Sequence, residues 1–136
     1  MPKQIFVNLP VRDLPGAIAF YTAIGAEQNT QFSDDTAACM VISDTIYVML
    51  LTHAKWATFT DKPIVDAHRD SEVLLALSCD SREAVDCMAE AAKKHGGKLD
   101  VIPVQDLGFM YSRSFEDVDG HVWESFYMDM TKLPQD

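Results

Sequence analysis

The chain runs through one order of elements twice. Residues 5–10 read as a strand, and Leu14, Ala17, Ile18, Tyr21 and Ile24 recur at helical spacing after it. Three strand candidates follow, at about 26–32, 36–43 and 45–52. The second half repeats this, with a strand over 72–79 and a helix whose apolar stripe is Val85, Met88 and Ala92. Strands then follow at about 98–104, 109–115 and 122–129. The strand-to-helix junctions, Val11 and Cys79, lie half the chain length apart. Self-similarity at a fixed period marks one structural unit used twice. The expectation is an α+β fold of two βαβββ modules in tandem: module 1 over about 1–52, a linker over 53–71 and module 2 over 72–130.

The punctuation supports both helices. Asp13 is a candidate N-cap with Pro15 in the first turn, and Gly25 is a natural stop. In the second half Asp80 with Glu83 forms a capping box, and Gly96-Gly97 closes the helix. The linker is longer than most connections. Its Trp56 and Phe59 need an apolar surface, which is either a local helix face, a pocket wall or a dimer contact.

The 136 residues carry a net charge of −10, which argues against nucleic acid and anionic membranes as partners. No apolar run approaches the roughly 20 residues that span a bilayer. The N-terminus shows no signal-peptide pattern. Cys39, Cys79 and Cys87 lack metal-type spacing and each falls within a predicted element, so buried free thiols in a reducing cytoplasm are expected.

The segment from Phe115 to Glu124 reads as a strand, an acidic turn closed by Asp119-Gly120, and a return strand. Along the return strand Val122, Glu124, Phe126 and Met128 share one face, while His121, Trp123, Ser125 and Tyr127 share the other. A carboxylate among apolar neighbours is costly unless a metal, a cation or a proton neutralises it. Glu124 is therefore a site candidate, against the alternative of an edge residue that reaches water. His121, beside the turn, reads as a surface hairpin residue.

With Val11-Arg12-Asp13-Leu14 leading to Phe20-Tyr21 and Gly25, and with Asp117-Val118-Asp119-Gly120-His121-Val122-Trp123-Glu124 near the end, the chain resembles the vicinal oxygen chelate superfamily. That group includes glyoxalase I, fosfomycin-resistance proteins, extradiol dioxygenases and bleomycin-resistance proteins. Val118 stands where the family's turn usually has proline. The resemblance implies two half-barrel sheets enclosing a cleft, and commonly a homodimer. It also implies up to four metal-ligand positions, which fall here at Phe6, near Leu50, at Leu74 and at Glu124. Only Glu124 matches, and three apolar positions do not supply the four or more donors a divalent ion needs.

The expected site is thus a cleft without metal or other cofactor. Glu124 is its catalytic candidate, and Phe6, Asn8, Met49, Leu74, Tyr111, Arg113 and Phe126 are its substrate-binding candidates. An apolar cavity with few polar groups is the usual make-up of a small-molecule site. If Arg113 meets Glu124, the carboxylate is structural; if Arg113 points elsewhere, Glu124 is free to act as a general base. Three readings follow: a metal-independent lyase or isomerase, a non-catalytic protein that sequesters a cationic aromatic compound, and a divalent-metal lyase with atypical ligands.

Overall fold

The structure, a computed structural model, describes residues 2–133. Module 1 opens with strand β1 (Ile5–Val11) and helix α1 (Leu14–Ala23). Asp13 caps α1 by accepting from the Gly16 amide, 3.2 Å away, and Pro15 sits in the first turn, where a backbone donor is not needed. Strands β2 (Glu27–Asn29), β3 (Ala37–Val41) and β4 (Ile46–Thr52) complete a sheet of order β1-β4-β3-β2. Only β1 and β4 pair in parallel. A short helix, α2 (His53–Trp56), opens the linker.

Module 2 repeats the plan with one added short strand, β7: β5 (Leu74–Ser78), α3 (Arg82–Lys94), β6 (Lys98–Leu99), β7 (Gln105–Asp106), β8 (Met110–Glu116) and β9 (Val122–Met128). Its order is β5-β9-β8-β6, with β5 and β9 parallel and β7 paired to β8. The cap of α3 is Ser81, which accepts from the Ala84 amide; the expected Asp80–Glu83 box lies one residue too early. β6 is shorter than expected because Asp100 turns the chain with φ +54°.

Each sheet has a helical face and an open face. Leu9, Val11, Val48, Leu50, Ala38 and Met40 of the first sheet pack on Leu14, Ala17, Phe20 and Tyr21 of α1. The same cluster includes Phe115 and Trp123 of the second sheet: Phe20 and Phe115 ring centroids are 6.1 Å apart, and those of Tyr21 and Trp123 are 6.2 Å apart. Helix α1 therefore lies between the sheets, and their helical faces look toward each other. Burying side chains of this size stabilises the fold by about 1.5–3 kcal/mol each. Hydrogen bonds fasten the modules as well. Trp123 Nε1 donates to Tyr21 Oη (2.9 Å), which donates to Asp117 Oδ2 (2.5 Å), deep in the core. The Phe-Tyr and Asp-Val-Asp-Gly motifs, far apart in sequence, are the two ends of this staple.

The open faces consequently point away from each other. Both half-barrel sheets are present as expected, and within one chain their open faces do not meet.

Candidate functional site

On the first sheet's open face lie Phe6 and Asn8 of β1 and Tyr47 and Met49 of β4. Phe6 stacks on Tyr47, with centroids 4.5 Å apart and planes at 10°. Gln4, Phe6, Asn29, Phe32, Cys39, Tyr47 and Met49 line an apolar cavity of about 520 Å³ there. Of Met49 and Leu50, where the resemblance placed one position, only Met49 faces this side, and Leu50 is buried against α1. Asn8 is exposed, and its amide donates only weakly, to the Phe6 carbonyl at 3.3 Å.

On the second sheet's open face, Glu124 sits between Ala76 of β5 and Ser114 of β8, with Val122 and Phe126 along its strand. Leu74 pairs with Val122 and is 64% exposed. Glu124 is half-buried and makes no hydrogen bond or ion pair with the described residues.

Tyr111 and Arg113 are not on this face. Arg113 pairs with Ser125, whereas Glu124 pairs with Ser114, so the alternation of β8 turns both toward α3. The Arg113 guanidinium bonds Asp100 (3.0 Å), Asp86 (3.2 Å) and Glu90 (3.3 Å), and these carboxylates, Asp100 foremost, hold its pKa well above the ordinary value. Tyr111 Oη donates to Asp86 at 2.6 Å, which raises its pKa, and Arg82 lies over its ring. Both residues anchor α3, and neither neutralises Glu124.

The open-face donor set does not fit a divalent metal. Phe6, Met49 and Leu74 bring no nitrogen or oxygen to Glu124, and the described residues contain no group of three or more His, Cys, Asp or Glu side chains placed to hold an ion.

Sequence reasoning missed a second concave region. His121 is not a surface residue: the alternation that buries Trp123 also buries His121, at 2% exposure. Its Nε2 bonds the Pro10 carbonyl (2.8 Å) and its Nδ1 bonds Glu72 Oε1 (2.5 Å). Burial alone would lower the imidazole pKa, but the Asp117 charge, the Pro10 carbonyl and Glu72 outweigh it and raise the pKa above 6.5. Beside this pair, the linker and the end of β1 enclose about 370 Å³. Trp56 forms one wall of this space and also lines a smaller cavity, of about 260 Å³, with Phe59, Leu51 and Asn8. The cysteines are free as expected, but Cys87 is exposed and only Cys39 is fully buried, where desolvation raises its pKa.

The chain matches the family model "Glyoxalase/Bleomycin resistance protein/Dioxygenase superfamily" over residues 3–125. It belongs to that superfamily. Among solved structures it is similar to a hypothetical protein from S. aureus (TM-score 0.77, 23% identity, covering 93% of this chain and 94% of that one). It is also similar to a glyoxalase-related enzyme from Fulvimarina pelagi (0.76, 17%, 93% and 88%). A third is the fosfomycin resistance protein FosX from Mesorhizobium loti (0.69, 19%, 97% and 97%). At such identities these likenesses show the fold alone. Comparison with curated proteins gives no significant match. Among the described residues no helix is long and apolar enough to cross a membrane.

Proposed function

We propose that this chain binds a small molecule in a cleft built by two copies, with the first sheet of one copy facing the second sheet of the other. The cleft works without a divalent metal, and Glu124 is its general base. The observation that carries this reading is the placement of two apolar open faces, with Phe6 48% and Leu74 64% exposed, on opposite sides of one chain. A homodimer covers both faces and brings Glu124 opposite Asn8, Phe6 and Met49, with Leu74 and Phe126 beside it. Metal independence rests on the donor set. The free thiols suit a reducing cytoplasm.

In such a cleft Glu124, lacking a cationic partner, takes the proton from the carbon next to a substrate carbonyl. The electron pair moves onto the carbonyl oxygen, and the Asn8 amide donates a hydrogen bond to that oxygen. A placed general base contributes about 10²- to 10⁴-fold in rate. The test is deuterium exchange at that carbon in small hydroxy-aldehydes and hydroxy-ketones, followed by proton NMR in D2O. The wild-type protein exchanges the proton, and Glu124→Gln loses the exchange with its circular dichroism unchanged. No exchange by wild type, or full exchange by the variant, rejects the base role.

The Phe6–Tyr47 stack favours one other reading, in which this face holds a planar aromatic cation and performs no chemistry. An acridine dye then binds the wild type unaltered, and Phe6→Ala and Glu124→Gln each weaken it. Equal affinity in all three proteins rejects this reading.

A further inference from the structure

The space under the linker has the build of a ligand site at the edge of the first sheet's open face, with which it shares Asn8. Its volume, about 370 Å³, falls at the lower end of small-molecule pockets, and its lining is predominantly apolar. Four separate segments make it: Asn8 and Pro10 at the end of β1, Trp56, Lys62 and Ile64 from the linker, Glu72 and Val73 leading into β5, and His121 just before β9. It is therefore formed wholly within one chain.

The polar lining includes Asn8, Thr60, Lys62 and a hydrogen-bonded pair, Glu72 and His121. Both nitrogens of His121 are occupied, by Glu72 Oε1 and by the Pro10 carbonyl, so the imidazole offers a ligand nothing directly. It fixes Glu72 instead. One carboxylate oxygen is tied to the ring, and the other has no hydrogen bond from the described residues while the side chain stays 26% exposed. The histidine thus holds a carboxylate oxygen on the wall of an apolar pocket, ready to accept. The Glu72–His121 pair is neutral overall when the imidazole carries its second proton, so the wall favours an N–H dipole over a full positive charge. In the same lining, the half-buried Trp56 indole offers a flat surface, and aromatic pairs add about 0.5–1.5 kcal/mol beyond their burial.

We propose that this pocket binds a small planar aromatic molecule carrying one N–H donor, with its ring beside Trp56 and its N–H on the free oxygen of Glu72. A hydrogen bond to a charged acceptor is the strong kind, and its loss weakens binding about tenfold or more.

Indole and 1-methylindole test this, since they share a ring and differ in the N–H. The readout is the side-chain N–H resonance of each tryptophan in the full-length protein. Trp56 lines the pocket, whereas Trp123 is buried with its N–H on Tyr21 and serves as the internal reference. Indole should shift the Trp56 resonance saturably and leave that of Trp123 in place, and 1-methylindole should bind about tenfold more weakly. Val73→Trp, at a position 38% exposed, fills the space without entering the core and should abolish the indole shift. The proposal is overturned by the absence of a saturable Trp56 shift, by equal affinity for the two compounds, or by indole binding that survives in Val73→Trp. None of these outcomes depends on dimer formation or turnover, so this pocket and the two-copy cleft stand or fall separately.

Discussion

At the scale of single residues, Tyr21, Asp117 and His121 of the family motifs are buried polar groups with partners, while Asp119 Oδ2 is buried with none among the described residues. Asp117 accepts from Tyr21 Oη and from the backbone amides of Asp119 and His121, while burial pushes its carboxyl pKa up. Removing a donor from a buried acceptor costs about 1–3 kcal/mol. Tyr21→Phe should lower stability by that amount, read from the urea midpoint at unchanged slope; an unaltered midpoint would mean that the staple contributes nothing. His121 makes stability depend on pH. Its folded pKa is raised above 6.5, so its contribution is complete below 6.5 and is lost as pH rises through the folded value. Glu72→Gln should therefore destabilise the protein most below pH 6.5, with the difference from wild type shrinking on the alkaline side. A difference constant with pH would contradict this linkage. The alternation of β9 was legible in the sequence and sets Glu124 and His121 on opposite faces. The orientation of Tyr111 and Arg113 was not, because Ser112 and Ser114, which alternate with them along β8, carry no hydrophobic signal. What fixes that strand is remote: Asp86 and Glu90 on α3, and Ile102, whose backbone amide and carbonyl both bond Ser114 Oγ.

At the scale of elements, the β8–β9 hairpin is the joint between linker and core. Gly120 has φ +92°, and a Cβ there would lie 2.5 Å from the His68 backbone nitrogen and 2.7 Å from the Ala67 carbonyl carbon. The turn needs glycine twice over, for its conformation and for the approach of the linker. Left-handed backbone at a residue with a side chain costs about 1–2 kcal/mol, and the contact with rigid backbone adds to that. Gly120→Ala should destabilise the protein by about 2 kcal/mol or more and speed proteolysis within 53–71. A variant as resistant as wild type would show that the linker is held elsewhere. The Asp-Gly pair announced the turn; the linker packed over it could not be read, since Ala67 and His68 carry no pattern that points to Gly120. The two βαβββ units were legible because strand alternation and helix caps are local properties.

At the scale of the whole molecule, the placement of α1 decides what one chain can bind. The helix packs on its own sheet and, through Phe20 and Tyr21, on Phe115 and Trp123 of the other. Two helical faces turned toward each other leave two open faces turned apart, which the order of elements does not foretell. Exposed large apolar side chains clustered on a sheet face mark an interaction surface more often than a chance arrangement. Leu74, 64% exposed at the start of edge strand β5, lies where a facing copy would cover it and takes no part in the helical core. Sedimentation should find the wild-type protein as a dimer. Leu74→Arg should weaken association about 30-fold or more, the scale of a central interface residue, without changing the circular dichroism of the folded chain. A wild type that stays monomeric at every concentration, or a variant that associates as tightly as wild type, would leave Glu124 on a solvent-facing sheet and remove the two-copy cleft. A monomeric wild type that still bound indole at Trp56 would then locate the ligand chemistry of this chain under its linker.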